Sequence, residues 1–278
     1  MTLPTFLYIG PDKAGSTWIF QLLQEHPGIF VAPSKDIYFF DRYFDRGLEW
    51  YESHFELASS RQAVGEISHD YLYSESACIR IRRLLPEVRL IVNLREPVQR
   101  AFSEFLYLRK MGMTMGDFRE ATREYPSIIR GSQYAAHLAM YLEHFPRHQL
   151  LIQRFENLTS DPSTFIRSVY SFIGVDPEFQ PKRLRDQVLP AARARSPAIA
   201  RAVKNTAIGL RNMGLGRAVG SLKQSKLLNR VLFTAYSQDN RPKLSQHDLM
   251  WLRTIFRPDV DALGALTGEN FDDWLKIP

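Results

Sequence analysis

Two stretches of this sequence set phosphate-binding residue types at the ends of apolar runs. In residues 6–23, four residues separate Gly10 from Gly15, Ser16 and Thr17 follow, and Lys13 lies inside the loop. Glycines that expose backbone N–H groups, a helix start and a lysine together make a cradle for an anion. The spacing nearly matches the phosphate loop Gly-x-x-x-x-Gly-Lys-Ser/Thr, but Ser16 occupies the lysine position and the charge moves to Lys13. A plain strand–helix turn with a solvated lysine would satisfy this stretch alone, so a second site has to decide. In residues 91–103, Arg95 closes an apolar run, Pro97 suits a first helical turn, and Ser103 lies on that helix. A guanidinium fork and a hydroxyl suit a second phosphate.

Three further residues could handle charge or protons. Lys35 precedes the aromatic cluster Tyr38, Phe39, Phe40, Tyr43 and Phe44, whose rings read as core. Glu66 lies near the end of the apolar run 63–67, where a carboxylate is either a structural acceptor or a general base. His69 is the rival base, since imidazole titrates near neutral pH.

The elements that must position these residues read as α/β. Residues 6–9, 29–31, 63–67, 89–94 and 149–153 form short apolar runs that suit buried parallel strands. Helical spacing follows the first and fourth, and Arg95 then stands at the carboxyl end of a strand, where open α/β sheets bind ligands. Helices are expected over 76–85 and 134–145, and another from Asp161-Pro162 to Gly174. Residues 112–125 read as irregular, a candidate substrate-facing flap. Ser245 caps a last helix that should stop near Ile255, before Pro258.

The composition, 45% hydrophobic and 24% charged over 278 residues, is that of a globular chain large enough for one α/β domain. No apolar run reaches the ~20 residues that span a bilayer. Cys78 is the only cysteine, which excludes an intrachain disulfide and a cysteine-rich metal site. A soluble, cytoplasmic protein is the expectation. The net charge of +6 is concentrated: residues 187–238 hold nine Lys or Arg and no Asp or Glu. That stretch reads as a basic helical cap or lid, and also allows peripheral contact with anionic lipid.

At these residues the chain resembles the PAPS-dependent sulfotransferases, PAPS being 3′-phosphoadenosine 5′-phosphosulfate. The segment Lys13-Ala14-Gly15-Ser16-Thr17-Trp18 is similar to their 5′-phosphosulfate loop, and Arg95 to Ser103 is similar to their 3′-phosphate motif. The resemblance covers roughly residues 4–178, with a weaker match over 241–274. It implies a P-loop-like three-layer fold with a central parallel sheet flanked by helices, plus a helical C-terminal region. One domain over 1–278 follows, with a PAPS-binding core at 1–180, the basic cap at 187–240 and C-terminal helices at 241–278. It also implies in-line sulfuryl transfer from PAPS to an acceptor hydroxyl, with no metal and no nucleic acid, on a small-molecule or glycan acceptor. Lys13 and residues 14–18 would hold the 5′ end, Arg95 and Ser103 the 3′-phosphate. Lys35 would face the sulfuryl group. Glu66 is expected to take the acceptor's proton, ahead of His69. Heparan-type members carry lysine after that glutamate, whereas this chain has Ile67. The alternatives from the residues themselves are a nucleotide-binding kinase, opposed by Ser16, and a basic lipid-surface binding protein.

Overall fold

The computed structural model describes residues 2–58, 61–185, 192–212, 232–235 and 242–276. In chain order its elements are β1 (Phe6–Gly10), α1 (Ser16–Glu25), β2 (Ile29–Val31), α2 (Phe39–Arg42), α3 (Gly47–Glu52), β3 (Ala63–Ile67), α4 (Glu75–Leu84) and β4 (Arg89–Leu94). Then come α5 (Pro97–Lys110), α6 (Phe118–Glu124), α7 (Ser127–Arg130), α8 (Ala135–His144), β5 (Leu150–Arg154), α9 (Phe155–Ser160) and α10 (Pro162–Ile173). The chain continues through β6 (Ala192–Ala194), α11 (Pro197–Asn212), β7 (Phe233–Ala235) and α12 (Gln246–Thr267). The chain packs as two units, one of residues 1–95 with 136–188 and one of 96–135 with 189–278.

The first unit is a five-stranded parallel sheet in the order β2-β3-β1-β4-β5. The strand period sends alternate side chains to opposite faces. Phe6 and Tyr8 of β1 join Ile19, Phe20, Leu22 and Leu23 of α1 and Phe165, Ile166, Val169, Tyr170 and Ile173 of α10 in one core. At ~1.5–3 kcal/mol for each fully buried large apolar side chain, this layer is a principal source of the unit's stability. Outside this core, the Tyr141 hydroxyl of α8 donates to the carbonyl of Tyr71, in the turn ahead of α4, at 2.8 Å. Register Phe6↔Gly65 puts the phenyl ring over Gly65, where a Cβ would lie 2.0 Å from the ring. Only glycine fits there. Because all five strands run the same way, the loops after β1, β2, β3 and β4 leave at one edge of the sheet.

The second unit is mainly helical, with the antiparallel pair β6–β7 in addition. Arg100 of α5 is 2% exposed and ion-pairs with Glu104, and its guanidinium donates to the carbonyls of Ser127 and Ile128 at 3.2 and 3.3 Å. Two expectations fail here. Residues 118–124 form α6, started by a reciprocal capping box between Asp117 and Glu120, rather than an irregular flap. The last helix does not stop before Pro258 but runs to Thr267. Its apolar stripe Leu252, Phe256, Val260 and Leu263 is buried on both sides of the proline. That burial, ~1.5–3 kcal/mol for each side chain, outweighs the ~3 kcal/mol an interior proline costs. Most of the basic segment 187–240 lies outside the described residues. Its described parts are β6, α11 and β7, so two short strands stand where helices alone were expected. Among the described residues, no helix is long and apolar enough to cross a membrane.

Candidate active site

All four loops that leave this edge of the sheet carry polar and charged side chains. After β1 the chain turns at Gly10, with φ +139°, where a Cβ would come within 2.3 Å of the His69 carbonyl. The loops after β1 and β3 therefore touch backbone to backbone. Lys13 takes φ 61°, one of only three positive-φ residues other than glycine among the described residues. Gly15, at φ 87°, is the N-cap of α1, so the cap position offers no side chain to that helix start, and its first turn holds no acidic residue.

The end of β4 sets the direction of this loop. Arg95 Nη1 donates to the Lys13 carbonyl at 2.9 Å, and the buried Asn93 amide donates to the Ala14 carbonyl. In a planar trans peptide the next N–H points opposite to the carbonyl, so the N–H groups of Ala14 and Gly15 point away from β4. With the N–H groups of Ser16 and Thr17 they give an anion-binding helix terminus. Lys13 Nζ lies 3.9 Å from Asp12 Oδ2, and the Arg95 guanidinium lies 4.7 Å from the centre of the Phe155 ring. Trp18 packs against the core, its Nε1 buried without a hydrogen-bond partner among the described residues. Ser103, the last residue of the second expected motif, lies on α5 in the second unit, half-buried.

The turn after β2 builds a second cluster. The other two positive-φ residues are Asp36 at 65° and Tyr38 at 57°. Asp36 Oδ1 accepts from Lys35 Nζ at 3.1 Å and lies 2.8 Å from His69 Nδ1. Tyr38 Oη is 3.2 Å from His69 Nε2, and the Arg42 guanidinium sits 4.1 Å above the Tyr38 ring while ion-paired with Asp70. The side chains of Lys35, Asp36 and His69 are 16%, 12% and 18% exposed, so this cluster reaches the surface.

Glu66 does not reach the surface. It is 0% exposed on β3 and accepts three hydroxyl bonds: Tyr51 at 2.6 Å on Oε2, and Tyr71 at 2.7 Å together with Ser68 on Oε1. Burial pushes its carboxyl up to about 7, against the three hydroxyl bonds that lower it, with Asp41 nearby adding to the rise. Burial likewise pushes Asp41 up to about 6.

The structure thus brings Lys13 and residues 14–17 together with Arg95, and Lys35 together with His69. Sequence reasoning missed Asp36, which joins Lys35 to His69, and Asn93, which aims the loop. The signal for Asn93 was one polar residue inside an otherwise apolar run, Arg89–Leu94. Asp36 offered none beyond adjacency to Lys35.

Comparison with known proteins agrees with this geometry. The sulfotransferase domain family matches residues 3–192. The chain belongs to that family. It is 33% identical over 199 residues to human bifunctional heparan sulfate N-deacetylase/N-sulfotransferase 3, covering 64% of this chain and 23% of that protein. It is 31% identical over 180 residues to mouse heparan sulfate glucosamine 3-O-sulfotransferase 6, covering 62% and 52%. The chain therefore spans about a quarter to a half of the length of these relatives. In fold it is similar to a sulfotransferase from Alicyclobacillus acidocaldarius, with a TM-score of 0.73 at 22% identity over 99% of this chain and 100% of that one.

Proposed function

We propose that this domain is a PAPS-dependent O-sulfotransferase. The observation that carries the reading is the loop after β1. Its carbonyls are held toward Asn93 and Arg95, its N–H groups are turned outward, and the helix start has glycine at the N-cap with no acidic residue in the first turn. This donor set of amides, hydroxyls, lysine and arginine fits a bis-anionic nucleotide, and the orphan Trp18 Nε1 adds a donor on the first turn of α1. When bound, PAPS supplies the sulfuryl group and the leaving phosphate.

Within this proposal, Lys13 and the amides of residues 14–17 neutralise charge at the 5′ end, as preorganised donors do where negative charge develops. Trp18 closes that loop. Arg95 holds the 3′-phosphate, and the assignment of Ser103 to the same phosphate rests on the spacing of the Arg95–Ser103 motif. Lys35 supplies positive charge on the acceptor side. For the proton, the surroundings favour His69 over Glu66. Asp36 accepts from Nδ1–H and so favours the tautomer that leaves Nε2 as the base, the arrangement a carboxylate–imidazole pair uses to accept a proton, with the Tyr38 hydroxyl at 3.2 Å and Asp70 Oδ1 at 3.4 Å from that nitrogen. Glu66 is enclosed on all sides by hydroxyls it already binds.

The acceptor in this reading is a glycan or other hydroxyl-bearing small molecule. Both named relatives act on heparan sulfate by their names, and Ile67 in place of the heparan-type lysine points to a different acceptor here. A cytoplasmic location belongs to the same proposal, supported by a lone, buried cysteine that needs no oxidising compartment. Contact of the basic segment with anionic lipid is also retained as a proposal, resting on its nine cations.

The test is calorimetric titration of adenosine 3′,5′-bisphosphate against ATP, with Arg95→Ala alongside. Preference for the bisphosphate, lost in the variant, is the expected result. No binding by the intact chain, or equal binding of ATP, would sink the proposal.

A further inference from the structure

The turn that carries Lys35 and Asp36 is held by alternate backbone donors. Asp36 N–H donates to the Ile67 carbonyl at 2.8 Å, Tyr38 N–H to Ser68 Oγ at 3.1 Å, and Phe40 N–H to Tyr71 Oη at 3.3 Å. The first bond is backbone to backbone. The other two end on hydroxyls whose own protons go to one atom, Glu66 Oε1. The third hydroxyl on Glu66, that of Tyr51, belongs to a ring stacked on Phe39 at 4.3 Å and 8°. A hydroxyl that must donate to a carboxylate presents its lone pairs elsewhere, so Glu66 fixes the sense of both hydroxyls as acceptors for the turn.

The turn needs this support. Asp36 and Tyr38 both sit in the left-handed region, which costs a side-chain-bearing residue of order 1 kcal/mol and persists only where its surroundings over-determine it. These two residues of the turn hold His69, Asp36 on Nδ1 and Tyr38 on Nε2, and outside the turn Asp70 Oδ1 lies 3.4 Å from Nε2.

We infer that Glu66 is a positioning residue: through Ser68, Tyr71 and Tyr51 it sets the strained 36–40 turn and thereby the orientation and tautomer of His69. The inference rests on the proposed role of His69 as proton acceptor, but its central observable does not. Glu66 is fully buried behind these hydroxyls. It acts through three hydroxyls, as a buried polar network does when every member is satisfied.

The discriminating variants are Glu66→Leu, which removes all three acceptors, Ser68→Ala, which removes only the Tyr38 link, and Glu66→Gln, which keeps an acceptor oxygen for Ser68 and Tyr71. Histidine 15N spectra of the full chain at pH 8, with the His69 signal assigned by His69→Gln, read the tautomer without any turnover. The expected result is a single Nδ1–H tautomer in the wild type and Glu66→Gln, and a mixture in Glu66→Leu and Ser68→Ala. In parallel, kcat should fall at least tenfold in Glu66→Leu and stay within about threefold in Glu66→Gln, with affinity for adenosine 3′,5′-bisphosphate unchanged in both. If Glu66→Leu does not fold, Ser68→Ala gives the same reading from one link. An unchanged His69 tautomer in Ser68→Ala and in folded Glu66→Leu overturns the inference. So does loss of turnover in Glu66→Gln with the His69 signal intact, which would make Glu66 the proton acceptor itself. A tautomer shift in a chain whose wild type binds no bisphosphate would uphold the positioning role and remove the proposed function.

Discussion

Replacing Glu66 by glutamine should make the protein less sensitive to alkaline pH, by an amount the burial of the carboxyl sets. Its ordinary value is 4.5 and burial raises it to about 7 in the folded chain. Between those values the folded state holds a proton that the unfolded chain has released, so stability falls as pH rises through this window. The full difference of about 2.5 units, at ~1.36 kcal/mol each, is about 3 kcal/mol. A glutamine amide cannot ionise, so the Glu66→Gln variant should gain about 3 kcal/mol relative to the wild type between pH 4.5 and pH 8. Asp41 is raised to about 6 by the same burial and acts in the same direction, but it is common to both proteins. Urea denaturation at the two pH values measures the difference directly. With a slope of ~3 kcal/mol/M, the wild-type midpoint should drop by about 1 M relative to the variant. Parallel midpoints at both pH values would refute the reasoning, because a carboxyl that titrates alike in both states contributes no slope.

Other substitutions probe separate links. Lys13→Ala should abolish most sulfuryl transfer with the melting temperature little changed, since its side chain lies against Asp12 rather than in the core; full activity would reject the loop assignment. Arg95→Ala should weaken bisphosphate binding by about 10–100-fold, the worth of a charge-assisted bond of ~1.5–3 kcal/mol, as read by calorimetry. Arg100→Ala leaves Glu104 buried and unpaired, so a loss of ~3–5 kcal/mol is expected in denaturant melts. Gly65→Ala should express mainly as insoluble chain, because its Cβ would sit inside the Phe6 ring; a soluble variant with wild-type melting would contradict the β1–β3 packing.

The sheet and the phosphate loop were legible because their signals are local. Runs such as Ala63–Ile67 and Arg89–Leu94 are largely apolar, and the Asp161 cap with Pro162 and Gly174 bounds α10 to the residue. The proton-handling cluster was less legible. Asp36 meets His69 across 33 positions and Tyr38 meets Ser68 across 30, and neither pairing leaves a periodic trace. Glu66 read as a base because a carboxylate at a strand end looks the same whether it faces solvent or three hydroxyls. Only tertiary burial separates the two. Pro258 misled for a related reason: a local breaker lost to burial spread over four side chains.

β2 is three residues long and bonded on one side only, to β3, at the margin of the sheet. The turn that follows it can therefore lift without parting any pair of inner strands. Its opening breaks the three bonds of Asp36, Tyr38 and Phe40, each ~0.5–1.5 kcal/mol, and also uncovers the buried side chains of Ile37, Phe39 and Phe40, each worth ~1.5–3 kcal/mol, while the inner strand pairs stay intact. Those three amides should exchange with solvent as a group, ahead of the amides of β1 and β4. The phosphate loop between β1 and α1 springs from the middle of the sheet and has no such freedom. The molecule thus roots its phosphate loop between inner strands and its Lys35–Asp36 turn on an edge strand, so that a change in the turn disturbs one strand pair only.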